Sequence, residues 1–333
     1  MSDFTFLKLF LSVFLTLVPL IGFFTVWSWI FFRVFALKQP LFLPHHPLRR
    51  ARWSGAFCFL VFGIFFLFPS VLIPFFSHET TSNMESVITS DGVLEEILET
   101  LGESENPAVI IEKVLQCTEK DHGTEHVAVR YLQENPSFAK FFFMFLYAAI
   151  LVPILEEFLF RLVLQGWCDA REREIFRRRR GNGWRSMILV SLLFALVHFH
   201  AAGDFQEESV QKLQFTVSAL SACVVLLAGF SVLHSQLMLT WREVGLDFRY
   251  WREDVALGTY GFFAGAFPTY VIQRALTEPL KEYCSADFIA LVPIALVFGF
   301  LYWRTRRLLP SIFAHCLYNS YALVQLVIYV CFT

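Results

Sequence analysis

Charged side chains are scarce in this 333-residue chain: Asp, Glu, Lys and Arg make up 17 % of it, against 56 % hydrophobic residues. The mean hydropathy is +0.55, which is too apolar for an ordinary soluble domain. The formal net charge is −2, and the basic residues are confined to short loops instead of forming one surface. This distribution excludes a nucleic-acid partner and places most of the chain in a lipid bilayer.

Paired metal-binding and disulfide motifs are also missing. The seven cysteines are scattered without a CxxC pair, which argues against a zinc ribbon and against a disulfide scaffold. No HExxH sequence occurs, so a zinc protease would lack its usual local signature. The first apolar segment has no basic stretch before it and is too long for the core of a cleavable signal, so we interpret it as a membrane span.

Long apolar runs are what the sequence does contain, and roughly 20 residues at about 1.5 Å each cross a hydrocarbon core. We therefore predict an all-α, polytopic membrane protein with about eight transmembrane helices. The predicted spans are residues 9–32, 54–76, 141–168, 186–200, 213–239, 255–272, 288–303 and 308–331.

The distribution of Lys and Arg between loops predicts the orientation of these helices. Eighteen of these residues lie in four alternate segments, 33–52, 169–185, 241–254 and 304–307, and eight lie in the remaining loops and termini. The basic loops are therefore expected to face the cytosol and both termini to lie outside. We predict a bacterial inner membrane, since no retention tail is recognised.

A single large polar insertion divides the chain into three parts. Residues 77–137 carry thirteen acidic residues against three basic ones. We accordingly predict two N-terminal transmembrane helices in residues 1–76, an acidic extracytosolic insertion in residues 77–138, and a six-helix membrane core in residues 139–333.

Two adjacent glutamates and an arginine interrupt the third apolar run, in "PILEEFLFRLVLQGW". Glu157 and Arg161 are four residues apart on a helix, so they can form an ion pair that reduces the cost of burying both charges. Glu156 is rotated about 100° away and lacks that partner. An unpaired carboxylate at membrane depth is a candidate for taking and returning a proton.

Two later spans carry polar residues at the same depth. Phe194 and His198 are four apart in the fourth span, as are His315 and Asn319 in the eighth. Glu157, His198 and Asn319 each lie twelve or thirteen residues from a charged loop end, which places them about 18–20 Å from the cytosolic helix ends. Three distant helices thus bring polar groups to one layer of the membrane.

This set of residues predicts hydrolytic chemistry. Glutamate and histidine around one water make a general base, and histidine and asparagine one turn apart can donate hydrogen bonds to an oxyanion. No Ser or Cys is placed as a nucleophile, so hydrolysis of an amide without a covalent intermediate is expected, with no cofactor. Two alternatives stay open: a catalytic zinc site, since two histidines and a glutamate are a common ligand set, and a non-catalytic scaffold or carrier.

Three short motifs resemble those of a known family. "EEFLFR" matches EExxxR, "FALVH" matches FxxxH and "HCLYN" matches HxxxN, in the order found in the CAAX-protease and bacteriocin-processing membrane proteins, the CPBP or Abi family. The stretch "ALVFGFLYWRTRRLLPSIFAHCLYNS" resembles the closing segment of that family. The resemblance covers roughly residues 139–331.

The resemblance implies an intramembrane glutamic endopeptidase, and the prenyl endopeptidases of the family remove the last three residues of a prenylated protein. It implies that Glu156 is the general base and that His198 helps to activate water. His315 and Asn319 would form the oxyanion site. It implies that Glu157 and Arg161 support the site or hold a substrate carboxylate. Phe194 would likewise bind the substrate or support the site. The expected partner is a membrane-associated peptide or protein.

Overall fold

The computed structural model describes residues 3–39, 53–65, 138–175, 183–199, 208–235, 238–280 and 286–332. The regular structure of these residues is entirely helical, without a β-strand, which confirms the all-α prediction. The predicted acidic insertion, residues 77–138, falls outside the described residues except for its last residue.

Eight helices contain most of the described residues, and each overlaps one of the predicted spans. They are α1 (Asp3–Phe31), α2 (Gly55–Phe65), α3 (Phe138–Ile175), α4 (Trp184–Leu196), α5 (Glu208–Ser235), α6 (Trp251–Leu280), α7 (Val292–Thr305) and α8 (Leu309–Phe332). A π-helical turn, Phe32–Ala36, extends α1, and a single turn, Asp287–Ala290, precedes α7.

Five of these segments are long and apolar enough to cross a bilayer, which makes the chain an integral, multi-pass membrane protein. They are Val13–Ala36, Phe138–Ile175, Phe248–Leu280, Asp287–Thr305 and Leu309–Ile328. The other apolar helices, Gly55–Phe65, Trp184–Leu196 and Ala219–Ser235, are shorter than a full span within the described residues. The count of eight spans therefore stays a prediction.

Helix α3 alternates between α-helical and π-helical geometry along its length. The residues Phe145–Leu151 and Glu157–Gln165 are π-helical, and Val152–Glu156 between them is α-helical. π-Helical stretches are rare and often occur at functional sites. The two adjacent glutamates lie at the second change from α-helical to π-helical geometry.

Helix α6 packs against α1, α7 and α8, and its glycines permit this close packing. A Cβ atom added at Gly258 would lie 2.9 Å from the carbonyl oxygen of Pro310 in α8. Added at Gly261 or Gly265, it would lie within 2.7 Å of side chains of α7. The small residues thus let α6 hold α7 and α8 side by side, as small-residue spacing does in membrane helices.

Ion pairs at one end of the bundle hold the turn between α7 and α8. Arg306 adopts a left-handed conformation with φ 54° and pairs with Asp169 at the end of α3. Arg307 pairs with the buried Asp254 of α6, with Nη2 3.0 Å from Oδ1. These residues belong to the segments that the charge distribution assigns to the cytosol, and they meet at one end of the helices.

Candidate active site

Polar side chains from three separate segments meet inside the bundle. Glu156 and Glu157 come from α3, His315 comes from α8, and His198 follows the end of α4. Three pairs of their ring nitrogens and carboxylate oxygens lie 3.1 to 3.7 Å apart. Residues that are far apart in the chain thus form one cluster.

Glu157 occupies the fully buried side of this cluster, with both of its oxygens engaged. Its Oε1 lies 3.1 Å from Nδ1 of His315, and its Oε2 lies 3.4 Å from Nε of Arg161. The side chains of Glu157 and Arg161 are 0 % exposed. The i, i+4 ion pair expected from the sequence is present, and it balances the negative charge of Glu157 where water cannot.

Glu156 lies between the two histidines. Its Oε1 is 3.7 Å from Nε2 of His198, and its Oε2 is 3.4 Å from Nε2 of His315. Its side chain is 15 % exposed and that of His198 is 29 % exposed, whereas that of His315 is 5 % exposed. Exposure therefore increases from Glu157 through Glu156 to His198, so the open side of the cluster is at Glu156 and His198.

The imidazole of His198 is oriented by the end of α4. The helix ends at Leu196, so His198 lies just beyond it, although the predicted span, 186–200, places this residue inside a helix. Its Nδ1 donates a hydrogen bond of 2.8 Å to the carbonyl oxygen of Phe194, one of the last carbonyls of a helix, which lack intrahelical partners. Because a carbonyl can only accept, the proton is on Nδ1, and the lone pair of Nε2 in the neutral ring points towards Glu156.

Aromatic rings enclose the buried half of the cluster. Phe298 of α7 stacks on His315 with the ring centroids 4.6 Å apart, and Phe194 meets the same ring at 5.7 Å in a T-shaped arrangement. The guanidinium carbon of Arg161 lies 5.3 Å from the centre of the Phe194 ring. The Phe194 ring also lies 4.9 Å from that of His198, so Phe194 contacts three of the predicted site residues.

Asn319 makes a hydrogen bond outside the glutamate cluster. Its Nδ2 donates to the carbonyl oxygen of Ala148 at 2.8 Å. The backbone N–H of Val152 donates a hydrogen bond to the carbonyl oxygen of Tyr147, five residues back. In the same pattern, the N–H of residue 153 would donate to the carbonyl oxygen of Ala148. Residue 153 is a proline, which has no N–H, so the Asn319 amide takes the place of the missing donor and joins α8 to α3.

Two polar residues that the motifs do not contain also contact the site. Ser191 of α4 accepts a hydrogen bond from Nη1 of Arg161 at 3.3 Å, and Gln165 donates from Nε2 to the carbonyl oxygen of Gly299 at 3.2 Å. Ser191 lies seven residues before His198, and Gln165 lies four residues after Arg161 on the same helix. The spacing from Arg161 is a signal that could have identified Gln165, whereas the sequence does not mark Ser191 as a partner of Arg161.

Among the described residues, no group of three His, Cys, Asp or Glu side chains has the arrangement needed to hold a metal ion. Each histidine of the cluster faces a different oxygen of Glu156. The expectation that no cofactor is used stays a prediction.

The fold and the cluster define a helical, multi-pass membrane protein with a buried polar site. Residues 138–321 match the family model described as type II CAAX prenyl endopeptidase Rce1-like. This match covers more than half of the chain, so the chain belongs to this family of membrane proteases, and the resemblance drawn from the motifs is confirmed. Comparison with the curated proteins and with the solved structures finds no significant match.

Proposed function

We propose that this protein is an intramembrane glutamic endopeptidase that hydrolyses a peptide bond near the lipidated end of a membrane-anchored substrate. The observation that carries the proposal is the position of Glu156, whose carboxylate lies between Nε2 atoms of two histidines at the open side of a buried cluster. The family match favours a substrate with a prenylated C-terminal CAAX sequence.

Glu156 is the better candidate for the general base of the two adjacent glutamates. Both oxygens of Glu157 are engaged, by His315 and by Arg161, and its side chain has no exposed surface. Glu156 is reachable, and the gap of 3.7 Å between its Oε1 and Nε2 of His198 is longer than a direct hydrogen bond. A water molecule beside this gap can donate one hydrogen to each atom.

The proposed reaction begins when Glu156 takes a proton from that water. The oxygen of the water forms a bond to the carbonyl carbon of the scissile peptide, and the carbonyl electron pair moves onto its oxygen. When the resulting tetrahedral species collapses, the C–N bond breaks and Glu156 returns the proton to the leaving nitrogen. The enzyme is restored, and no covalent intermediate with the protein is formed.

His315 and Asn319 are the proposed partners of the developing oxyanion. His315 contacts Glu157 through Nδ1 and lies 3.4 Å from Glu156 through Nε2. Asn319 donates to the Ala148 carbonyl through Nδ2. The second N–H of the Asn319 amide remains for the substrate. Arg161 is fully buried, donates hydrogen bonds to Ser191 and Ala295 and forms an ion pair with Glu157, which supports a role in holding Glu157 and not a substrate carboxylate.

The test uses purified protein in lipid nanodiscs and a prenylated peptide that ends in a CAAX sequence, with release of the C-terminal tripeptide measured by mass spectrometry. We expect the wild type to cleave and Glu156→Gln to be inactive. Glu174→Gln is the matched control, because Glu174 lies on the same helix but is 58 % exposed and outside the cluster. Cleavage by Glu156→Gln at the wild-type rate would rule out the proposed base.

The same assay tests the absence of a metal. Incubation with a strong chelator should leave the cleavage rate unchanged, whereas loss of activity that zinc restores would establish a metalloprotease. A wild-type protein that binds the prenylated peptide without cleaving it would instead support the scaffold interpretation.

We further propose that the basic loops face the cytosol and that both termini lie outside. The expected membrane is a bacterial inner membrane. Protease treatment of sealed vesicles of known orientation, with an epitope tag at the C-terminus, tests the orientation. Loss of the tag only on treatment from the cytosolic side would contradict it.

A further inference from the structure

A polar network surrounds the guanidinium group of Arg161 on the side away from Glu157. Nη1 of Arg161 donates to Oγ of Ser191 at 3.3 Å, and Nη2 donates to the carbonyl oxygen of Ala295 at 3.0 Å. Oγ of Ser191 also donates to that carbonyl oxygen, at 3.0 Å. All three residues are 0 % exposed, so the network is closed to bulk solvent.

The direction of each hydrogen bond follows from the chemistry of the groups. A serine hydroxyl has one hydrogen, which Ser191 gives to Ala295, and its lone pairs then accept from Arg161. Arginine can only donate, through a rigid planar fork. With Nη1 and Nη2 both engaged, the plane of the guanidinium is fixed, and its Nε faces Glu157 at 3.4 Å.

Helix α7 approaches this network so closely that only glycine fits at residue 299. A Cβ atom there would lie 2.6 Å from Oγ of Ser191 and 3.3 Å from Nη1 of Arg161. The Gly299 carbonyl also accepts a hydrogen bond from Gln165, one turn after Arg161. The contact between α3, α4 and α7 is therefore built around the Ser191 and Arg161 side chains.

We propose that Ser191 is a positioning residue of the peptidase reaction, which acts through Arg161 on the pair formed by Glu157 and His315. The inference rests on the proposed function. The contacts run from Ser191 to Arg161, then over 3.4 Å to Glu157, over 3.1 Å to His315 and over 3.4 Å to Glu156. Removing the hydroxyl leaves Nη1 without its acceptor in a fully buried site, and the guanidinium can tilt away from Glu157.

The first experiment compares Ser191→Ala with Ser186→Ala by steady-state cleavage of the prenylated peptide in nanodiscs, at a temperature where both variants are folded. Ser186 lies on the same helix, is buried, and donates to a carboxylate oxygen of Glu172 at 2.8 Å, outside the cluster. We expect kcat to fall about tenfold or more in Ser191→Ala with KM within about twofold, and to stay at the wild-type level in Ser186→Ala.

The second experiment separates positioning from a general loss of stability by combining Ser191→Ala with Arg161→Lys. Lysine keeps the positive charge but lacks the fork that Ser191 holds. If Ser191 acts through Arg161, adding Ser191→Ala to Arg161→Lys should change kcat less than about twofold, since the path of the effect is already broken. If Ser191→Ala lowers kcat by the same factor in the Arg161→Lys background as in the wild type, Ser191 acts independently of Arg161. That result would overturn the proposal.

The remaining outcomes are also decisive. A value of kcat for Ser191→Ala equal to that of Ser186→Ala would overturn the inference while leaving the proposed function intact. A wild-type protein without peptidase activity would overturn the proposed function, and the inference with it. If Ser191→Ala does not fold, Ser191→Cys is used, because its thiol fills the same space and is a weaker acceptor. Its kcat should fall severalfold, and a wild-type kcat would contradict the proposal.

Discussion

The buried ion pair between Arg161 and Glu157 predicts a large loss of stability when Arg161 is replaced by methionine. At 3.4 Å, two unit charges attract by about 5 kcal/mol for an effective dielectric constant of about 20. Removing one partner of a buried pair costs about 3–5 kcal/mol, because the other charge is left without compensation. We expect Arg161→Met to lower the free energy of unfolding by an amount in this range, measured by denaturant titration in detergent micelles with tryptophan fluorescence.

Two further variants make this expectation refutable. Arg171→Met removes an ion pair from the same helix whose side chains are 52 % and 58 % exposed, and such a surface pair is worth about 1 kcal/mol or less. The double variant Glu157→Gln with Arg161→Met removes both charges, so no buried charge is left uncompensated. It should therefore be more stable than Arg161→Met alone. An Arg161→Met protein as stable as Arg171→Met, or a double variant less stable than the single one, would refute the electrostatic reasoning.

Two further predictions concern the packing of α8. Asn319→Ala should cost about 1–3 kcal/mol, measured by the same titration, and this cost should shrink in a Pro153→Ala background, where a backbone N–H can serve the Ala148 carbonyl. An equal cost in both backgrounds would contradict the interpretation that the Asn319 side chain replaces the backbone N–H that Pro153 lacks. Gly258→Ala should destabilise the protein, because the new methyl group would meet the backbone of α8 at 2.9 Å, whereas Gly63→Ala, with nothing within 4 Å, should be neutral or stabilising by up to about 1 kcal/mol. Equal melting temperatures of the two glycine variants would show that α8 can move away at no cost.

Helix periodicity and membrane depth predict much of the candidate site from the sequence. The constant rise of a helix, counted from the charged loop ends, brings Glu157 and His198 to one layer, and the motifs add His315. The i, i+4 rule also predicts the pair of Glu157 with Arg161. These inferences work because a bilayer leaves helices as the main option for the backbone, so sequence position converts directly into depth.

The sequence does not predict which partner a polar side chain bonds on a neighbouring helix. A serine in a membrane helix commonly bonds the carbonyl four residues back, as Ser235 does with Ser231, so nothing in the sequence marks Ser191 as a partner of Arg161. Asn319 contacts Ala148 because of the π-helical register before Pro153, and a propensity argument does not give that register. The exact end of α4 before His198 depends on a side-chain cap, which spacing alone does not reveal.

The most direct test of the central claim is terminal proteomics on membranes of source cells that lack this protein, complemented with the wild type or with Glu156→Gln at equal expression. We expect new C-termini on membrane-anchored proteins that appear only with the wild-type copy, each lacking the residues beyond the lipidated cysteine. Identical termini with both copies would contradict an intramembrane peptidase that uses Glu156 as its base.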